Sequence, residues 1–379
     1  MTIDSKTSVA LLPSSRPIKS SEGSKADNAV LAPLVSVVVT NYNYGRFVDE
    51  AIRSVAAQQY EDWECVIVDD LSTDNSIEVI QQTLKQLNDA RFAFLRLERN
   101  VGQLGAMKEA VKRCNGAFLA FLDADDVWLP EFLLEHVSAH LNPNFSAGVS
   151  VSDTHFIDEA GRALTATAPS VFKYRGDKQS DGVHLAMADA LVYSPGRIRL
   201  PRSEKRVLRH VAPYIGGWHG AATSGMMFRS TLMPIVMPAD AEAFRICADY
   251  PIYQLSHVIS GTIVIEESLS LYRLHGKNGY SNFPWIGGAA RLNDHDSSNA
   301  RHNQHLLQHI YATKGEIERL CGPGHTRTIA KMFGGKIDDK VGEPKLRREI
   351  RRILRKLPLI RKKRVAAFVL AMVSVVLGV

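Results

Sequence analysis

The sequence predicts an α/β fold, a mostly parallel sheet flanked by helices on both faces, and three observations predict it. Short apolar runs rich in β-branched residues alternate with stretches whose apolar residues recur at helical spacing. The pair repeats from Leu34 to Leu122, giving strands and helices in the order βαβαβαβ. Each strand-like run also ends in a polar cluster. Alternation of this kind favours parallel pairing through right-handed crossovers, and ligands of such sheets sit beyond the strand C-termini.

The first strand is Val35 to Val39, too short for a helix and suited to a buried position. Phe47, Val48, Ala51, Ile52 and Val55 then fall on one helical face, and Cys65 to Val68 is again strand-like. Asn75 with Glu78 three residues on forms a capping pair, ahead of a stripe of Ile77, Ile80, Leu84 and Leu87. Phe92 to Leu97 makes a third strand. Leu104, Met107, Val111 and Cys114 mark a third helix, and Phe118 to Leu122 is a fourth strand that runs straight into acid residues. From about Gly161 to Gly217 periodicity is weak and turn residues are many, so this stretch is expected to wrap the site rather than extend the sheet.

At 379 residues with 45% hydrophobic content, the chain can bury one large domain with extensions or two ordinary ones. Residues 1–33 hold seven serines and three prolines without a hydrophobic period, the composition of a disordered lead-in. The expected division is then 34–160 for a nucleotide-binding half, 161–285 for an acceptor-side half, 286–344 for a helical extension and 345–379 for a basic, then apolar, tail. Between Lys345 and Arg364 there are eleven Lys or Arg and one Glu, a local +10 against a total of +6, so the rest of the chain carries about −4. A nucleic-acid-binding face would spread that charge over the folded body among aromatics, and the body lacks the pattern, so no nucleic-acid partner is expected. Cys65, Cys114, Cys247 and Cys321 are far apart with no C-x-x-C spacing, and the N-terminus lacks a secretory profile. Reduced thiols in a cytoplasmic catalytic portion are the simplest expectation.

Four polar clusters converge on one sheet edge: Thr40 to Asn43, Asp69 and Asp70, Asn100 to Gly102, and Asp123 to Asp126. A nucleotide diphosphate needs its charge neutralised, and a hard cation bound by carboxylate oxygens does so without a lysine cradle. Asp123, Asp125 and Asp126 supply such oxygens; alone, the run also reads as a capped turn before Pro130. Asp70 suits a hydrogen bond to the imide or ribose of a nucleotide, and Tyr42 suits stacking on a base, although each is also a common turn former. Asn100 and Gly102 suit close approach of backbone to a ligand, or an ordinary strand-to-helix turn. No G-x-x-x-x-G-K-[ST] occurs, and Thr-Asn-Tyr-Asn-Tyr-Gly follows the first strand in place of G-x-G-x-x-G, which disfavours ATPase and dinucleotide readings. H-E-x-x-H and G-x-S-x-G are also absent. A nucleotidyltransferase would be expected to place a Gly-rich basic loop there, and Thr40 to Gly45 is not one.

Val-Ser-Val-Val-Val-Thr-Asn-Tyr-Asn at 35–43, Val-Asp-Asp-Leu-Ser-Thr-Asp at 68–74, Arg-Asn-Val-Gly at 99–102 and Leu-Asp-Ala-Asp-Asp at 122–126 together resemble the family 2 glycosyltransferases of the GT-A fold. The resemblance returns at 223–229, at Cys247-Ala248-Asp249-Tyr250 and at Tyr272-Arg273-Leu274-His275. It implies an inverting transferase with a Rossmann-like GT-A sheet and a divalent metal, Mn²⁺ or Mg²⁺. Thr40, Asn41, Tyr42, Asp70, Asn100, Gly102 and Asp123 would serve the nucleotide-sugar donor, Asp125, Asp126 and His275 the metal. Asp249 stands where the family's catalytic Asp stands, with Ala248 in place of the usual Glu. A carboxylate there would take the acceptor's proton as its oxygen attacks the anomeric carbon. Asp249 ahead of Pro251 also fits a helix cap. The Ala248 departure leaves open a member that binds nucleotide or a partner without turnover.

In the tail, Leu346, Ile350, Ile353, Leu354 and Leu357 form an apolar stripe opposite five arginines, and Pro358 ends it. The fifteen uncharged residues Val365 to Val379 would span roughly 22 Å as a helix at about 1.5 Å per residue, short of a hydrocarbon core of roughly 30 Å. A basic membrane-surface helix is expected at the cytoplasmic face, peripheral through shallow insertion of its apolar end or tail-anchored through a short, mismatched span, beside a saccharide or lipid-linked saccharide acceptor.

Overall fold

The computed structural model describes residues 31–144, 146–165, 192–194, 197–199, 208–213, 221–276, 278 and 295–334. The expected lead-in, up to residue 30, and the basic and apolar tail lie outside the described residues.

The first four strands come where the apolar runs place them: β1 (Val35–Asn41), β2 (Trp63–Asp69), β3 (Phe92–Arg96) and β4 (Phe118–Asp123), joined by α1 (Val48–Ala56), α2 (Ser76–Leu87) and α3 (Gly102–Val111). After them come β5 (Val127–Trp128), α4 (Phe132–His140), β6 (Val149–Asp158) and β7 (Ala163–Thr165). A hairpin of β8 (Val192–Ser194) and β9 (Arg197–Arg199) stands apart from the main sheet, and β10 (Leu208–Val211) belongs to it. The chain continues through β11 (Met226–Arg229), α5 (Met233–Val236), α6 (Asp249–Ser260), β12 (Thr262–Leu274), α7 (His295–Ala312), α8 (Lys314–Cys321) and α9 (His325–Met332).

The sheet order is β10-β12-β6-β11-β4-β1-β2-β3. β3, β2, β1 and β4 pair in parallel, as do β6 and β12, while β11 runs antiparallel between β4 and β6. Side chains alternate across the pleat, so Val37, Val39, Ile67 and Leu122 pack under α1 and α4, and Val38, Val66, Val68 and Phe121 pack against α3 and α6. Helices therefore cover both faces, as the sequence predicts.

Two local expectations change. The stretch from Gly161 to Gly217 does add sheet, since β7 pairs with β6 and β10 with β12, both antiparallel; runs of three and four residues are too short to leave a periodic signal. Asn75 makes no side-chain cap on α2; the carboxylate of Asp74 takes the Ser76 N–H (3.0 Å) and hydroxyl (2.5 Å). The helical extension is part of the core: Leu306, Ile310, Ile317, Ile329 and Phe333 share one apolar cluster with Phe244, Ala248 and Ile252.

Candidate functional site

The parallel register aligns the strand ends. Thr40 lies opposite Asp123 and Asn41 opposite Asp69, so the polar clusters emerge level with one another. The loops leaving β1 and β2 are tied together. Asn41 is buried and its Nδ2 donates to Asp69 Oδ2 (2.7 Å) and Ser72 Oγ (3.1 Å). Asn43, in the left-handed region at φ 60°, accepts the Thr73 N–H at 2.7 Å on its Oδ1. Asn41 thus works inside the scaffold, while Tyr42 beside it is 45% exposed at the rim.

Asp70 turns toward the next loop. Its Oδ1 accepts the Val101 N–H (2.7 Å) and its Oδ2 the Gly102 N–H (2.8 Å), which satisfies the start of α3. Burial raises its pKa against those hydrogen bonds and the nearby Arg245. Asn100 donates to the Asp70 carbonyl at 3.0 Å and accepts from the Arg245 guanidinium. Gly102 has φ +76°, and a β-carbon there would collide with the Arg245 side chain and backbone. Its glycine is required by that close packing.

The acid run supplies the strongest electrostatics. Asp123 Oδ1 accepts from Thr40 Oγ1 (2.9 Å) and Gln103 Nε2 (2.8 Å). Burial, then the charge of Asp125, pushes its carboxyl up to about 7. Asp126 is 1% exposed, with Oδ2 accepting from Ser224 Oγ (2.6 Å) and Oδ1 from the Arg273 N–H (3.0 Å); burial and its acidic neighbours hold it well above the carboxylate range. Ser224 also takes the Asp123 N–H (3.1 Å), and its carbonyl takes Trp128 Nε1 (2.7 Å).

β5 pairs with β12, which brings the Tyr-Arg-Leu-His end of β12 onto the acid run. His275 Nε2 sits 2.9 Å from Asp125 Oδ2, and its ring lies between Tyr44 (5.4 Å) and Phe47 (5.3 Å). Arg273 is buried; its Nε donates to the Asp125 carbonyl at 2.9 Å and its guanidinium pairs with Glu50. Burial, and then the charges of Asp125, Asp123 and Asp126, raise the Tyr44 hydroxyl well above its usual pKa.

Asp249 is the first residue of α6, so Ala248 holds the cap position, without a side-chain bond. Burial pushes the Asp249 carboxyl up to about 6, and Asp123 feels its charge. Between the two lies Gln103, which bonds Asp123 and takes the Ala248 N–H at 3.3 Å. Sequence reasoning missed Tyr44, Gln103, Ser224 and Arg273. Ser224 and Arg273 lie inside segments quoted for the resemblance, the only signal that points to them.

Among the described residues no group of three or more His, Cys, Asp or Glu is placed to hold a metal ion. Asp123, Asp125 and His275 carry the oxygen and imidazole donors that a divalent cation takes, and of this set the structure brings Asp125 and His275 into direct apposition. Burial first, and then the charges of their acidic neighbours, raise the Asp123 and Asp126 carboxyls. Both oxygens of Asp126 accept bonds within the fold, so it stands behind this set.

Residues 36–194 match the profile described as Glycosyl transferase family 2. An uncharacterized glycosyltransferase of Nostoc sp. is 32% identical over 65% of this chain and 66% of its own length. The putative teichuronic acid biosynthesis glycosyltransferase TuaG of Bacillus subtilis is 41% identical over 25% of this chain and 37% of its own. The UDP-Glc:alpha-D-GlcNAc-diphosphoundecaprenol beta-1,3-glucosyltransferase WfgD of Escherichia coli is 35% identical over 30% and 43%. The chain thus spans less than two thirds of the lengths of these relatives. Among solved structures it is similar to a mannosyltransferase of Pyrobaculum calidifontis in complex with GDP-Man and Mn²⁺ (14% identity, 91% of this chain and 81% of that one, TM-score 0.42), a likeness too slight to bear on what this chain binds.

Proposed function

We propose that this chain, which belongs to glycosyl transferase family 2 through residues 36–194, moves a sugar from a uridine-diphosphate sugar onto an acceptor hydroxyl with inversion. The observation that carries this reading is the approach of two acid groups at one sheet edge: Asp123 and Asp125 on the donor side, and Asp249, whose neighbour Ala248 is tied to Asp123 through Gln103.

In this reading Tyr42 stacks on the base, while Thr40 and Asp123 meet the ribose and diphosphate. Asp70, Asn100 and Gly102 shape the wall beside them, with Asn41 bracing the loops. Asp125, Asp123 and His275 would hold a divalent cation, Mn²⁺ or Mg²⁺, whose charge stabilises the leaving diphosphate; Asp126 fixes the run from behind. Asp249 accepts the proton of the acceptor hydroxyl as that oxygen bonds to the anomeric carbon. The bond from that carbon to the diphosphate breaks with its electron pair leaving on the phosphate oxygen, and one displacement inverts the centre. A carboxyl raised to about 6 is a better proton acceptor than an ordinary Asp and is still ionised at neutral pH.

The acceptor in this reading is a saccharide or lipid-linked saccharide of cell-surface polysaccharide or glycolipid synthesis. The WfgD name states a diphosphoundecaprenol-linked acceptor for that enzyme, which supports the lipid-linked class. No helix among the described residues is long and apolar enough to cross a membrane. The basic and apolar sequence 345–379 is the segment proposed to meet the cytoplasmic membrane surface.

The test is turnover, read as UDP release from UDP-glucose and UDP-N-acetylglucosamine. Asp249→Asn should lower kcat by about 10²- to 10⁴-fold with UDP affinity kept. A chain that binds UDP but turns over no donor, with Asp249→Asn indistinguishable, would support a non-catalytic nucleotide-binding member instead.

A further inference from the structure

We propose that Gln103 is a positioning residue that holds the donor-side carboxylate of Asp123 and the base-bearing segment at Asp249 in one register. The proposal rests on the transferase reading above and adds to it the part that couples its two halves.

Gln103 is the second residue of α3. Its backbone N–H donates to the Arg245 carbonyl at 2.7 Å. Its side chain donates Nε2–H to Asp123 Oδ1 at 2.8 Å and accepts the Ala248 N–H on Oε1 at 3.3 Å. One residue therefore ties together the end of β4, the start of α3 and the stretch that leads into α6. An amide suits this post because it is donor and acceptor at once: a carboxylate lacks the donor that Asp123 needs, and an ammonium lacks the acceptor that the Ala248 N–H needs.

The surroundings make the bridge short and firm. Gly102 lets the Arg245 stretch close onto the helix start, where no β-carbon would fit, and Arg245 reaches over to Asn100. On its far side the stretch is held by the buried ring of Phe244, which packs at 5.3 Å from His302, and by Tyr250, whose hydroxyl donates to Asn303 Oδ1 at 2.7 Å. The two ends of the bridge are not equal. Thr40 gives Asp123 a second donor, so that carboxylate keeps its place when Gln103 is lost. The larger effect falls on Ala248 and, one residue on, Asp249. The consequence is a split: losing Gln103 should damage the chemical step more than donor binding, because base placement matters only as the acceptor reacts.

The experiment compares the full chain with Gln103→Met, which keeps side-chain length but has no amide, and with Ala248→Pro, which removes the N–H at the other end where φ is already −63°. UDP release from UDP-glucose and UDP-N-acetylglucosamine with Mn²⁺ gives kcat, and calorimetry with UDP and Mn²⁺ gives Kd. Each variant should lose about 10- to 100-fold in kcat, the usual size for residues that orient a catalytic group, with Kd shifted by no more than about 3-fold. The double variant should be no worse than Gln103→Met alone, since Ala248→Pro cuts a bond that Gln103→Met has already cut. Gln103→Met turning over like the wild type, a matched loss in Kd and kcat, or a double variant with multiplied losses would each overturn the proposal. Should Gln103→Met melt well below the wild type, Ala248→Pro decides alone, a fall in kcat at unchanged Kd supporting the bridge and an unchanged kcat removing it. No UDP release by the wild type overturns the transferase reading itself, and the proposal with it.

Discussion

His275 Nε2 lies 2.9 Å from Asp125 Oδ2, a contact between residues 150 positions apart that closes the end of β12 onto the end of β4. The ring is held by Tyr44 and Phe47, and its backbone N–H by Asn278 Oδ1 at 2.8 Å. His275→Ala should therefore weaken Mn²⁺-dependent UDP binding by about 10- to 100-fold, the range for groups that orient or complete a metal set. Titration calorimetry with and without Mn²⁺ checks it, and metal-free binding should be unaffected.

Asp249 must be ionised to act as a base, and burial pushes its carboxyl up to about 6. The rate should fall as pH drops through about 6, with the acid limb set by this group. The linkage has the opposite sense for stability. A carboxyl whose pKa is raised in the folded state disfavours the charged form, so the fold is strained at neutral pH and relaxes as the group is protonated. Asp249→Asn should then melt at or above the wild-type temperature at pH 7.5 while losing turnover; scanning calorimetry beside the pH–rate profile reads both.

Beneath the sheet, His136 Nδ1 is 2.7 Å from Ser150 Oγ, which is 3.0 Å from His140 Nε2, all three side chains buried. Burial drives the His140 pKa down to about 4 and that of His136 well below its usual value. The unfolded chain takes up these protons near about 6.5, so stability is lost as pH falls from there toward about 4, with a slope of up to about 1.4 kcal/mol per pH unit for each proton. Denaturant unfolding between pH 7.5 and 5 should show this slope, flattened in a His136→Gln, His140→Gln double variant. Equal slopes would remove the pair as its cause.

Residues 345–379 combine eleven Lys or Arg with an uncharged end. The 379-residue chain should co-sediment with vesicles containing anionic lipid, and a chain ending at residue 344 should not. Binding that survives the deletion would place the membrane contact elsewhere.

The four parallel strands and both helical layers were legible because buried β-branched runs and helical stripes are local signals. Val37 and Val39 facing one layer and Val38 the other follow from the pleat alone. The acid run was legible for a similar reason, since a strand ending in Asp123 delivers it to the C-terminal edge of the parallel strands. What holds the run was not. Ser224 reaches Asp126 across 98 positions, Arg273 reaches the Asp125 carbonyl across 148, and Gln103 reaches Ala248 across 145. No periodicity encodes such pairings; they appear only once β5 lies on β12 and the start of α6 closes on α3. The bonds by which Asp70 and Asn41 brace neighbouring loops were not legible either.

The central claim, a metal-assisted nucleotide site at the end of β4, is tested most directly by calorimetry of UDP binding to the wild type and to Asp125→Ala, each with and without Mn²⁺. The expected result is binding by the wild type that requires Mn²⁺ and is lost in the variant. Binding that ignores both the metal and the substitution, or no binding by the wild type, would contradict it.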